Sequence, residues 1–193
     1  MGKLTEIRWH GRGGQGAKTA ALLFADAALG EGLYIQAFPE YGPERMGAPV
    51  QSFDRLSDEP ITIHCGVTNP SVVVVLDPTL IGTVDVTQGL PENGAIIINT
   101  SETAKNIKAK LGLTKGKVYT VDASAISRDT IGKDIPNTPM LGALAKVTGL
   151  INFERMVEDN RKKLTLKFKN KPEVIEGNIK SIQRAYEEVK GEE

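Results

Sequence analysis

The chain has 193 residues, 40% of them hydrophobic and 25% charged, which is ordinary globular composition for one domain and leaves little room for a second. Its 24 Lys and Arg balance 24 Asp and Glu, so the basic excess needed to bind a phosphate backbone is missing and nucleic acid is excluded as the main partner. A single cysteine rules out an internal disulfide, a Cys-rich zinc site and a four-thiolate iron–sulfur cluster, so any redox chemistry sits on something else.

No run approaches the ~18 consecutive apolar residues of a membrane span, and the start of the chain has no apolar signal-peptide core. The expectation is a cytoplasmic protein without a membrane partner. Residues 4–10 alternate loosely as a strand and run into Gly11-Arg12-Gly13-Gly14-Gln15-Gly16. Ala17 to Gly30, rich in Ala and Leu, reads as a helix whose small residues allow close packing on a sheet. Leu33 to Phe38 is a short second strand leading into a dense Gly/Pro loop, Pro39 to Pro49. Val50 to Leu56 and Ile61 to Cys65 flank the polar turn Ser57-Asp58-Glu59-Pro60, which predicts an antiparallel hairpin.

Ser71 to Asp77 holds a continuous β-branched run, the pattern of a central strand covered on both faces. Ala95 to Asn99 and Lys117 to Asp122 read as two more buried strands. Between them lies a helix, Glu102 to Leu111, with Thr100 or Ser101 as N-cap and Gly112 as its stop. Asp122 or Ser124 caps a further short helix. Thr138-Pro139 predicts an N-cap and first helical residue of a helix ending near Thr148 before Gly149. Residues 153–164 form a charged helix and Lys167 to Lys171 a basic hinge. The last helix carries an apolar stripe, Ile175, Ile179, Ile182, Tyr186 and Val189, with Glu176–Lys180 as an i,i+4 pair. The whole is an α/β protein: a three-layer α/β/α arrangement with a mixed, mostly parallel sheet and one antiparallel hairpin. It forms a single domain, 1–193, with a helical extension from about residue 150.

A strand, a glycine loop and a helix together form a device for meeting an anion or a carbonyl, because glycine lets backbone approach a ligand and the helix N-terminus presents unpaired N–H groups. Gly11, Gly13 and Gly16 satisfy the dinucleotide fingerprint, with Glu40 as the acidic residue for a ribose. Gly11 to Thr19 also resembles a phosphate-binding P-loop, but Ala17 is one residue too many and turns Lys18 by about 100° away from the phosphates. Asp77, which imitates a magnesium-holding residue at a strand end, reads as a cap or turn residue before Pro78. Gln15 offers both donor and acceptor for a neutral ligand or another subunit's backbone. A tight strand–helix turn needing glycine only for packing accounts for the loop equally well.

Glu40, Glu44 and Arg45 lie on the stiffened second loop at the carboxyl ends of the strands, where α/β crevices form. Arg12 or Arg45 can meet a carboxylate or phosphate in bidentate fashion, and Arg45 paired with Glu40 or Glu44 as a loop clamp is the competing assignment. Tyr41 fits an interface. His64 and Cys65, adjacent on a strand, point to opposite faces and share no metal; both take structural roles, Cys65 as a buried strand residue. His10 keeps a minor claim beside the glycine loop. Trp9, Met140 and Leu144 are assigned to core or interface.

On Gly11 to Gly16, on Glu40 to Pro49 and on Pro136 to Leu144, in that order, the sequence resembles the gamma subunits of 2-oxoacid:ferredoxin oxidoreductases, most closely those of the pyruvate enzymes. The resemblance implies a multisubunit enzyme that decarboxylates pyruvate on thiamine diphosphate with Mg, passes electrons through 4Fe-4S clusters to ferredoxin, and gives the acyl group to coenzyme A. Thiamine diphosphate, Mg and clusters are implied to lie in alpha, beta and delta-type partner subunits, with no cofactor bound by this chain alone. By the same resemblance, Gly11, Arg12, Gly13, Gly14, Gln15 and Gly16, with Glu40, Tyr41, Gly42, Glu44 and Arg45, border the coenzyme A or active-site entrance, and none is catalytic. The alternative is a free-standing nucleotide-binding enzyme using the Gly11–Gly16 loop; a third reading is a pure interaction scaffold.

Overall fold

The computed structural model describes residues 4–40, 46–169 and 171–192. Four strands form a parallel core: β1 (Thr5–Arg12), β4 (Val72–Val75), β5 (Ala95–Asn99) and β6 (Lys117–Val121). Antiparallel strands extend both sides. β2 (Tyr34–Pro39) and β3 (Pro49–Ser57) join beyond β1, and β7 (Lys190–Gly191) closes the far edge, giving the order β2-β3-β1-β4-β5-β6-β7. The mixed sheet predicted from sequence is present, and its Val72–Val75 run is fully buried, as a strand covered on both faces requires.

One face of the sheet carries α1 (Ala17–Gly30), α3 (Ala123–Ile131), α4 (Asn137–Thr148), α5 (Phe153–Lys167) and α6 (Pro172–Glu188). Its core joins Ile7, Trp9, Val72, Val74 and Ile97 of the strands to Ala20, Ala21 and Phe24 of α1 and to Met140 and Leu144 of α4. Small side chains set the spacing. At Gly142 a Cβ would stand 2.0 Å from the Ile182 carbonyl oxygen, so α4 and α6 touch backbone to backbone. The other face holds a smaller core of Val73, Val75, Ile96 and Ile98 against Leu80 and Ile107, the latter on α2 (Ala104–Leu111).

Several local expectations shift. The antiparallel partners of the 50–56 strand are β1 and β2, while residues 61–65 form no strand and run irregularly. Cys65 is accordingly exposed rather than buried. The reason is Arg55: its guanidinium donates to the carbonyls of Ile63, Cys65 and Gly66, spending on a side chain the backbone acceptors a ladder would use. Thr103, not Thr100 or Ser101, caps α2, and α4 starts two residues early, with Pro136 rather than Thr138 at the N-cap and no side-chain cap. Asp122 and Gly149 stand at the ends of α3 and α4 as expected. Glu176 pairs with Arg161 of α5 rather than with Lys180. Strand β7 had no sequence signal.

Candidate functional site

Three segments far apart in sequence meet at the carboxyl end of β1. In the glycine loop, Gly14 and Gly16 have φ of 96° and 82°, a left-handed conformation that glycine adopts without strain. The second loop returns to the first through a reciprocal backbone pair: the Gly13 N–H donates to the Ala48 carbonyl (2.9 Å) and the Gly47 N–H to the Gly13 carbonyl (3.1 Å). The third segment arrives as the start of α4. There Asn137 packs on Gly16 so closely that a Cβ on Gly16 would lie 2.5 Å from the Asn137 amide nitrogen. Asn137 Nδ2 donates at 3.5 Å to the Gly16 carbonyl, and its buried Oδ1 has no hydrogen-bond partner among the described residues.

Asp77 organises this junction from the end of β4. Its Oδ2 accepts from Gln15 Nε2 (2.7 Å) and faces Arg12 Nε at 3.2 Å. Its Oδ1 accepts from the backbone and hydroxyl of Thr79 (2.9 and 2.7 Å). Burial raises the carboxyl's pKa, but the hydrogen bonds from Thr79 and Gln15 and the Arg12 charge outweigh it and hold Asp77 below the ordinary carboxylate value. Arg12 also donates to Thr79 Oγ1 (2.8 Å) and to the Gly47 carbonyl (3.1 Å), tying the second loop to the first. The Gln15 Oε1 accepts from the Arg12 amide (2.8 Å). The side chains of Arg12 and Gln15, read as candidates for an external ligand, are therefore engaged in shaping the loop. Around Gly14 the space within 4 Å of a hypothetical Cβ is open, and Met46 at the base of the second loop is 96% exposed.

Glu40 lies elsewhere. A dinucleotide site needs its acidic residue on a parallel strand beside β1, but here the antiparallel β3 stands between β1 and β2. Two strand spacings, roughly 10 Å, separate them. Glu40 lines a cavity with Arg8 on the face opposite α1. Lys18 is exposed, and Asp77, the would-be magnesium residue of a P-loop, is engaged by Arg12 and Gln15. Tyr41, Gly42, Glu44 and Arg45 fall outside the described residues, as do the clamps assigned to Arg45. Trp9, fully buried, donates from Nε1 to Asp54 Oδ2 (2.7 Å), and Met140 and Leu144 are core.

His10 is buried too. Its Nε2 accepts from Arg8 Nε (3.0 Å), and burial together with the Arg8 charge lowers its pKa to about 4. The imidazole is neutral and engaged with Arg8, and among the described residues it makes no hydrogen bond to the glycine loop, so its claim there lapses. The residues that sequence reasoning did not place in the site are Asp77, Thr79 and Asn137. The apolar strand ending in Asp was the available signal for the first.

Residues 6–188 match the family described as pyruvate ferredoxin/flavodoxin oxidoreductase. The chain belongs to this family. Within it, the chain is 47% identical to pyruvate synthase subunit PorC of Thermotoga maritima over 97% of this chain and 96% of that protein. It is 46% identical to the pyruvate/ketoisovalerate oxidoreductases common subunit gamma of Thermococcus litoralis, over 95% and 96%. The crystal structure of the pyruvate oxidoreductase subunit from T. maritima superposes with a TM-score of 0.87, at 45% identity and 99% coverage of both chains. The three segments that meet at the end of β1 all fall within the part matched by the pyruvate ferredoxin/flavodoxin oxidoreductase family.

Proposed function

We propose that this chain is the gamma subunit of a pyruvate:ferredoxin oxidoreductase, a single domain in which the packed end of β1 faces the assembly. The carrying observation is likeness over nearly the full length of the T. maritima subunit at 47% identity. In the complex, pyruvate is decarboxylated to CO2, ferredoxin is reduced and coenzyme A receives the acetyl group. Alpha, beta and delta-type subunits carry thiamine diphosphate, Mg and the 4Fe-4S clusters. This chain's donor chemistry does not fit those groups: it has one cysteine, and among the described residues no three His, Cys, Asp or Glu side chains cluster as metal ligands.

The glycine loop's part in this reading is to border the coenzyme A entrance; Glu40, which lines the cavity on the sheet face opposite α1, is not part of that border. Support comes from the open space at Gly14 and from the rigidity that Asp77 and Arg12 impose on a loop with no enclosed core of its own. The dinucleotide alternative is disfavoured by β3 standing between Glu40 and β1.

Purification of the native complex tests the subunit assignment: the chain should co-purify with a thiamine diphosphate subunit and a ferredoxin-like subunit. Pyruvate oxidation by a verified single-chain preparation refutes it. Coenzyme A titration of the intact complex, wild type against Gly14→Val, tests the entrance; unchanged affinity in an intact complex leaves the loop a purely structural role.

A further inference from the structure

The sheet face opposite α1 is not covered by a helix over β1, β3 and β2. The register aligns Arg8 with Phe53 and Phe53 with Phe38, and the next row aligns His10 with Gln51. Residues 58–70 and the turn around Val86 to Gln88 roof this face, held by the two buried arginines. Arg55 has its ion pair, Glu6 at 2.8 Å. Arg8 has none among the described residues. It is 97% buried, its Nε is used on His10, and its Nη2 on the carbonyls of Val86 (3.2 Å) and Gln88 (2.6 Å). The charges acting on it, Asp85 and Glu40, make no direct contact, and Asp85 is engaged in capping Thr87. Nη1 has no hydrogen-bond partner among the described residues.

A buried cation without a counter-ion carries a desolvation cost of several kcal/mol that neutral acceptors only partly offset. Here a guanidinium with no ion pair among the described residues lines a cavity of about 560 Å³, well inside the size range of ligand sites. Phe38, Phe53 and Val67 supply an apolar wall, and Gln51, Gln88 and Glu40 supply polar groups around it. The neutral His10 fixes the guanidinium plane by accepting from Nε, and with Nη2 held by the Val86 and Gln88 carbonyls, Nη1 is the nitrogen left for a ligand.

We propose that this cavity is a binding site for a small organic carboxylate, its carboxylate on Arg8, its apolar body against Phe38 and Phe53, and a hydrogen-bond donor directed to Glu40. The site lies on the sheet face opposite α1, shares no lining residue with the glycine loop, and does not depend on the subunit reading. Two phenylalanines with ring centroids 5.4 Å apart favour a flat or aromatic body over a branched one. A lone inorganic anion leaves most of the space unfilled.

The full chain is titrated with 4-hydroxybenzoate by isothermal calorimetry and amide NMR, with neutral 4-hydroxybenzamide as the isostere. The acid should bind saturably, shift the Phe38, Phe53 and Val67 amides, and exceed the amide in affinity roughly tenfold, as loss of a charge-assisted hydrogen bond requires. Arg8→Met should lose the preference for the acid. Thr68→Trp, at the exposed mouth and away from Arg8, should block both compounds while leaving the fold intact, so the test survives a poorly folding Arg8 variant. No saturable binding by the wild type overturns the proposal, and points instead to an acidic side chain of a neighbouring subunit. Equal affinity for acid and amide, or an acid preference surviving in Arg8→Met, overturns it as well.

Discussion

Acidification should destabilise this protein through one histidine, and the size of the loss follows from the structure. His10 is buried and its Nε2 accepts a hydrogen bond from a cation, Arg8, at 3.0 Å. Protonation removes that acceptor and sets two positive charges side by side. Burial first, and the Arg8 charge second, bring the folded-state pKa from 6.5 to about 4. Between those values the unfolded chain takes up a proton that the folded chain refuses, so stability is flat above about pH 6.5 and falls as the pH drops toward about 4. At about 1.4 kcal/mol per pH unit the ceiling is about 3 kcal/mol, and about 2 kcal/mol is lost by about pH 5. Urea unfolding of wild type and His10→Gln across this range isolates the effect, because Gln keeps an acceptor for Arg8 and does not titrate. The wild type should lose about 2 kcal/mol more than the variant between about pH 7.5 and 5. Parallel curves for the two proteins, or a His10 imidazole that titrates near its ordinary value by NMR, refute the reasoning.

Three further substitutions test the packing around the site. Asp77→Asn keeps shape but removes the charge that engages Arg12; it should cost about 1–2 kcal/mol and speed hydrogen exchange at the Gly13 amide, and unchanged exchange there would show that the loop holds itself. Gly142→Ala places a methyl 2.0 Å from the Ile182 carbonyl oxygen and should lower stability by about 2–3 kcal/mol in thermal melts, as overpacking does; a neutral result means that α4 and α6 separate freely. Asp54 is fully buried, with one oxygen on Trp9 Nε1 and the other without a partner among the described residues, and burial raises its pKa well above the ordinary value even though the Trp9 bond lowers it. Its folded form resists ionisation that the unfolded chain accepts, so stability declines as the pH rises past the unfolded pKa. Asp54→Asn should therefore melt higher than wild type near neutral pH and converge with it in acid, and a lower neutral melting temperature sinks that account.

The strands and helices whose patterns are set by burial were legible in the sequence. Val72 to Val75, the alanines of α1 and the stripe Ile175, Ile179 and Ile182 all lie where periodicity put them, because apolar spacing reports directly which face is covered. Pairing was not legible. Residues 61–65 have strand composition and a turn before them, yet Arg55 holds their carbonyls and no ladder forms. Strand β7 has two residues, too few for any pattern.

The candidate site divides along the same line. Its glycines could be read in the sequence because a left-handed φ is a property of the residue itself, as at Gly14 and Gly16. The roles of Arg12 and Gln15 could not, because each depends on a partner more than 60 positions away: Asp77 receives both. Arg8 shows the converse. In sequence it is one charge in an alternating strand, indistinguishable from Glu6 two positions earlier. Register alone places Glu6 beside Arg55, where it finds an ion pair, and Arg8 beside Phe53, where it does not. A charge buried against an aromatic ring instead of an opposite charge is a conflict that composition cannot display, since the net charge of zero already counts Arg8 as balanced. Balance over the whole chain is not balance at a site, and the local imbalance at Arg8 is what marks the cavity for a ligand.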